Sequence, residues 1–355
     1  MENKLYLILE DGTTMQGHGF GATGEAMGEL VFTTSMVGYM ETITDPSYAG
    51  QIVVQTFPSI GNYGVMTSDV ESETPALNAY IVREWCQEPS NFRCEGVLDT
   101  FLKDKGVVGL YGIDTRALTR LLRERGSMNA MITANPTVTE ERLAVLRGYK
   151  EDKLVAKVAP REKTVSTSET ANKRVVLWNF GAQASTTKTL VKYGCEVVSM
   201  PWTATAEEIL AENPAGVLVS DGPGDPAELT AAIAELTKVM AAGLPMLGIG
   251  LGHQLMALAQ GGQTVKMPFG HRGGNQPVVF TESGHVYITS QNHGYTVVGD
   301  SLPAGAKINF VNANDGTCEG IEYAGGKQFS VQFAPDAFGS SIDTTFVYEC
   351  FLALL

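Results

Sequence analysis

The segment Gly248-Ile249-Gly250-Leu251-Gly252-His253-Gln254 has the spacing of a nucleophile elbow but no nucleophile. It follows the apolar run Pro245-Met246-Leu247-Gly248-Ile249 and leads into a helix expected over Gln254–Gln260. In a Gly-x-X-x-Gly frame between strand and helix, the central residue sits on a sharp, strained turn and presents its side chain at the top of the sheet. The flanking glycines let the backbone pack closely, and the helix N-terminus lowers the pKa of a thiol held there. Here the central residue is Gly250. Taken alone, the segment has a plain structural explanation as a glycine-rich strand–helix turn.

Two further segments bear on the same chemistry. Ser220-Asp221-Gly222-Pro223-Gly224-Asp225-Pro226 ends an apolar run, and two glycines flanking a proline expose backbone N–H groups of the kind an oxyanion hole uses. Ser330-Val331-Gln332-Phe333-Ala334-Pro335-Asp336 comes later in the chain. The five cysteines (Cys86, Cys94, Cys195, Cys318 and Cys350) are scattered, with no CxxC pair. This argues against a zinc site and against a disulfide framework, and it reads as buried thiols behaving as small hydrophobes. The five histidines (His18, His253, His271, His285 and His293) have structural or surface roles by default.

The elements that must position these segments fall into two groups. The first part of the chain reads as β-rich, with strands expected at Leu5–Leu9, Glu29–Thr33 and Gln51–Gln55 and a turn at Asp11-Gly12. One helix stands out there: Asp114 is its N-cap, Ala117, Leu118, Leu121 and Leu122 form the apolar stripe, and Gly126 is the C-cap. Residues 158–173 are polar and nearly free of large apolar side chains, and they read as a linker between domains 1–157 and 174–355. After the linker, strands at Val175–Trp178, Glu196–Met200, Gly216–Ser220 and Pro245–Ile249 alternate with helices at Thr187–Tyr193, Ala206–Glu212 and Ala227–Ala241. That alternation indicates a mostly parallel sheet flanked by helices, with its ligand site beyond the carboxyl ends of the strands.

Composition narrows the function class. At 355 residues with 44% hydrophobic and 18% charged side chains, the chain can build two compact cores. The net charge of -14 makes it a poor nucleic-acid binder. No apolar run is long enough to span a membrane, and the start Met1-Glu2-Asn3-Lys4 lacks a secretory signal, so a cytoplasmic location is expected.

The three segments, in this order and context, resemble the class I (triad) glutamine amidotransferases. In that family the elbow reads Gly-x-Cys-x-Gly-His-Gln and the last motif reads x-Gln-x-His-Pro-Glu. The Cys attacks the glutamine side-chain amide, the His moves the proton, and the Glu orients the His. Carried over residue by residue, the Cys position is Gly250, the His position is Ala334 and the Glu position is Asp336. Two of the three are chemically empty, and Asp336 has no imidazole to orient.

The rest of the chain narrows the resemblance to the small subunits of carbamoyl-phosphate synthetase. The residues that carry it are Leu9-Glu10-Asp11-Gly12-Thr13, Gly21-Ala22-Thr23-Gly24, Thr34-Ser35-Met36-Val37-Gly38-Tyr39, Thr44-Asp45-Pro46-Ser47-Tyr48, Gly61-Asn62-Tyr63-Gly64 and Gly112-Ile113-Asp114-Thr115-Arg116. To these the second half adds residues 266–275 and Ser290-Gln291-Asn292-His293-Gly294-Tyr295. The resemblance implies a β-rich N-terminal domain joined to an α/β amidotransferase domain. It places glutamine-binding groups at Ser47, the backbone of Gly222 and Gly224, Leu251, Gln254, Asn292, Gly294 and Tyr295. It also implies a large-subunit partner that carries the ATP and the divalent cation, no cofactor or metal in this chain, and a product used in arginine or pyrimidine synthesis. With the triad gone, the expectation is lost glutaminase activity and a structural or regulatory subunit of an ammonia-using complex. A non-enzymatic glutamine-binding regulatory module, with L-glutamine as its ligand, is the alternative.

Overall fold

A computed structural model describes residues 3–336 and 342–355; Met1, Glu2 and residues 337–341 lie outside it. The chain forms two compact units, Met1–Leu154 and Val155–Leu355. Among the described residues, no helix is long and apolar enough to cross a membrane.

The N-terminal unit is a closed barrel whose strands run, in order of pairing, Lys4–Leu9, Thr14–Gly21, Val108–Tyr111, Ala79–Val82, Gln51–Gln55, Ala26–Thr33 and Met128–Thr133. Closure removes the exposed edges that would otherwise invite further pairing. Gly12 makes the expected turn, with a positive φ and its N–H donated to Leu9 O. The expected helix spans Thr115–Arg125; Asp114 Oδ1 accepts from Ala117 N, and Gly126 donates to Leu122 O. It buries Thr115, Leu118 and Leu122; of the expected stripe, Leu121 is half-buried and Ala117 is exposed. Leu30, Val53, Tyr80, Leu98 and Leu102 are fully buried within the unit.

The C-terminal unit is built on a 10-stranded sheet. Its centre is parallel and runs Cys195–Pro201, Lys173–Asn179, Gly216–Val219, Met246–Ile249 and Gln328–Val331. Alternate side chains of these strands enter two separate cores. Val176, Trp178, Val217 and Val219 pack with Ile209, Leu236 and Leu255 on one face. Val175, Leu177 and Leu218 pack with Leu190 and Phe351 on the other. This is why the strands read as unbroken apolar runs. Beyond Gln328–Val331 the sheet continues antiparallel through Cys318–Glu322, Val286–Val297, Thr264–Phe280 and Lys307–Asn312.

Two local differences from the sequence reading have physical causes. Within the segment read as a linker, Thr164–Ser166 is an edge strand antiparallel to Cys195–Pro201 and Ala159 enters the C-terminal core, as does Val155 just before the segment, on the side assigned to the first domain. Edge pairing uses backbone groups, so a polar sequence with β-branched Thr164 and Val165 can supply it without a large apolar face. The helix after the elbow spans Leu251–Ala259, starting three residues before the expected Gln254.

Candidate functional site

The strand Met246–Ile249 ends at Gly250, which has φ 57 and ψ -112, and the helix Leu251–Ala259 begins at the next residue. The elbow geometry therefore persists without a side chain to present. Glycine reaches this positive φ freely, whereas an L side chain there is strained. Gly250 N donates to Val331 O at 3.0 Å, which ties the elbow to the strand Gln328–Val331 beside it. Gly252 sets how closely the helix packs, because a Cβ at this position would overlap the carbonyl oxygen of Val219.

The loop after Gly216–Val219 comes to the same end of the sheet. Ser220 Oγ accepts from Phe180 N at 2.9 Å and donates to Asp221 O at 2.7 Å, which fixes the start of the loop. Asp221 turns its carboxylate toward the elbow. Its Oδ1 accepts from Leu251 N at 2.9 Å and from Gly222 N at 2.7 Å. A Cβ built on Gly250 would overlap this carboxylate. The N–H groups of Gly222 and Leu251, expected to face a ligand, therefore face Asp221. Sequence reasoning missed this residue; its one signal was a carboxylate at the end of a parallel strand, immediately before Gly222-Pro223-Gly224.

The remaining family positions are distributed as follows. Ala334 pairs with Ser290, donating its N–H to Ser290 O at 3.0 Å, and it places a methyl group where the base is expected. Asp336 accepts from the Tyr348 hydroxyl at 3.0 Å, and burial pushes its carboxyl up to about 6. Gln254, on the first turns of the helix, donates from Nε2 to Tyr295 O at 2.8 Å and to Gln332 Oε1 at 2.9 Å. It thus joins the elbow to the strand Val286–Val297, which carries Asn292, Gly294 and Tyr295. Gly224 lies in the loop with a positive φ and is exposed. Ser47 belongs to the N-terminal unit, in the short turn Pro46–Tyr48; its N–H donates to Asp45 Oδ1, and its buried hydroxyl has no partner among the described residues.

Among the described residues of this unit, the histidine next to the elbow and the cysteines are placed as follows. His253 adjoins the elbow, but its Nδ1 lies 2.8 Å from Ser330 Oγ, and burial lowers its pKa to about 3. Cys195 starts a central strand, at the end of the sheet opposite the elbow, and burial raises its thiol. Burial pushes the Cys318 thiol up to about 12. Cys350 lies on the C-terminal helix Phe346–Leu354.

Among the described residues, one cluster brings metal-ligating types together: His271, His293 and Glu319, all buried. Their polar atoms are engaged with neighbours. Glu319 accepts from Gln291 Nε2 at 2.9 Å and from Asn312 Nδ2 at 3.2 Å, and one of its oxygens lies 3.3 Å from His271 Nδ1. His271 Nε2 lies 2.9 Å from Asp315 Oδ2, and His293 has Tyr295 O and Gln291 Oε1 at its two ring nitrogens. Burial works against a charged His271, but Glu319 and Asp315 beside the ring raise its pKa on balance. The network holds the antiparallel strands together and meets the site at the backbone of Tyr295, which accepts from Gln254 Nε2 and lies against His293 Nδ1.

Residues 7–132 match the family model described as carbamoyl-phosphate synthase small chain, CPSase domain, and residues 176–354 match glutamine amidotransferase class-I. The carbamoyl phosphate synthase small chain of Clostridium perfringens is 44% identical over 349 residues, covering 98% of this chain and 99% of that one. The chain belongs to the carbamoyl-phosphate synthase small-chain family. The small chain of Bacillus caldolyticus is likewise 44% identical over 354 residues, covering 99% of this chain and 96% of that one. That of Listeria monocytogenes is 43% identical, covering 99% and 97%. Each of the two family matches falls inside one of the compact units.

Proposed function

We propose that this chain is a carbamoyl-phosphate synthase small subunit that does not hydrolyse glutamine. It pairs with a large, ATP-using subunit, stabilises it, and leaves the complex dependent on free ammonia. The observation that carries this reading is Gly250 on the elbow at φ 57, a turn shaped to present a nucleophile on a residue that has none. Ala334 strengthens it, because a methyl group moves no proton. Loss of nucleophile and base together removes covalent attack and proton transfer at once, and residues that act as such a unit are not replaced piecemeal.

The test is to purify the chain with the large subunit of the same organism and measure carbamoyl phosphate formed with L-glutamine or with ammonium chloride as nitrogen source. Synthesis with ammonium and none with glutamine is expected. Glutamine-dependent synthesis, accompanied by glutamate release, overturns the reading.

A further inference from the structure

We propose that Asp221 is a built-in occupant of the anion-binding N–H pair at the elbow and the residue that excludes L-glutamine from this site. The proposal rests on the non-hydrolytic reading above and deepens it by naming what closes the site.

Two backbone N–H groups converge on one point at the carboxyl end of the sheet, Gly222 N from the loop and Leu251 N from the first turn of the helix. Both donate to Asp221 Oδ1, at 2.7 and 2.9 Å. A paired set of N–H groups beside an elbow is the arrangement that binds a carbonyl oxygen as it acquires negative charge. For a glutamine amide to stand above position 250, its oxygen must take the place that Asp221 Oδ1 holds. The competition favours the protein's own group. The carboxylate bond is charge-assisted and sits at the positive end of a helix, whereas an amide oxygen is neutral. Asp221 is also tethered, so it loses no translational freedom on occupying the pair.

The side chain missing at position 250 is what admits this arrangement, since a Cβ there would overlap the Asp221 carboxylate. The glycine and the aspartate are therefore one geometric change: Gly250 clears the space and Asp221 fills it. The bond from Leu251 N also caps the helix Leu251–Ala259, whose own N-cap residue supplies no side-chain bond. Capping alone predicts an effect on stability and none on ligand binding, which separates the two roles.

The experiment is calorimetric titration of L-glutamine into the full chain, for the wild type, Asp221→Ala and Asp221→Asn. Thermal melts establish that each variant is folded. No saturable binding is expected for the wild type at millimolar glutamine, and Asp221→Ala is expected to gain affinity by about tenfold or more. Asp221→Asn keeps the shape without the charge and is expected to fall between; it carries the test if the alanine variant does not fold. The proposal is overturned if the wild type binds as tightly as Asp221→Ala, or if the variants fold and do not bind. Assaying the same samples for ammonia separates the two readings. Binding by the wild type without ammonia release sinks only the exclusion by Asp221, whereas ammonia release by the wild type sinks the non-hydrolytic function as well.

Discussion

The Asp221 carboxylate accepts a hydrogen bond from the backbone nitrogen of Leu251 at 2.9 Å, across thirty residues of sequence. A helix leaves its first N–H groups without intrahelical partners, and Ser, Thr, Asp or Asn at the N-cap normally satisfies one of them. The cap position here is Gly250, which has no side chain. A residue from the neighbouring strand's loop does the work instead, and its charge lies at the favourable end of the helix. The two segments at the carboxyl end of the sheet are thereby tied to each other.

Asp221→Ala should therefore lower the stability of the C-terminal unit by about 1 kcal/mol, the usual cost of losing a cap. Asp221→Asn should cost less, because its amide oxygen can still accept. Urea unfolding of the three proteins measures this, and an unchanged midpoint for the alanine variant rules the cap out.

The elbow was legible in the sequence because its glycine spacing survives intact; the state of the oxyanion pair was not. Asp221 reads as one more polar residue in a Gly-Pro-Gly loop, and only the space above Gly250 tells which way its carboxylate turns. The helix start was misplaced for the same reason: Leu251, Gly252 and His253 carry no local start signal, and their cap comes from thirty residues upstream. The parallel strands were legible because burial on both faces leaves unbroken apolar runs at Val175–Trp178 and Gly216–Val219. The antiparallel extension was not, because Gln291, Asn312 and Glu319 look like surface residues until they are seen satisfying one another in the interior.

Gly252→Ala tests the close approach of helix and strand. The added Cβ would overlap Val219 O, a backbone atom of a central strand with no freedom to give way. Overpacking of this kind typically costs about 1–3 kcal/mol, and the unyielding neighbour puts this variant at the upper end or beyond. A thermal midpoint within a degree or so of the wild type would show that the helix can shift outward at little cost.

Glu41 gives a pH dependence that belongs to the N-terminal unit alone. Burial, with Asp69 and Glu71 nearby, raises its carboxyl to about 7, and neither of its oxygens has a hydrogen-bond partner among the described residues. A carboxyl raised on folding binds a proton that the unfolded chain has already released, so its contribution is present at low pH and is lost as pH rises through about 7. Glu41→Gln removes that dependence. Its stability relative to the wild type should rise from about pH 4.5 and level off above about 7, by on the order of 3 kcal/mol. Parallel stability–pH curves for the two proteins would contradict this.

On the proposed non-hydrolytic reading, installing the family's triad is expected to require four positions and not three. Gly250→Cys alone places a side chain at φ 57, a strained region costing about 1–3 kcal/mol, and drives its Cβ into the Asp221 carboxylate. It should destabilise the chain and release no ammonia from glutamine. The triple variant Gly250→Cys, Ala334→His, Asp336→Glu supplies nucleophile, base and orienting carboxylate, but Asp221 still competes for the N–H groups of Gly222 and Leu251. Its ammonia release should stay at background. Adding Asp221→Asn lowers that competition, and weak but measurable glutaminase should emerge only in the fourfold variant, because the groups of such a site act as a unit. Equal activity in the threefold and fourfold variants would mean that the carboxylate swings aside freely once a thiol is present. A fourfold variant that folds and binds glutamine yet stays inactive would place the remaining defect outside these residues, and the glutamine-binding regulatory module would then be the better account of the site.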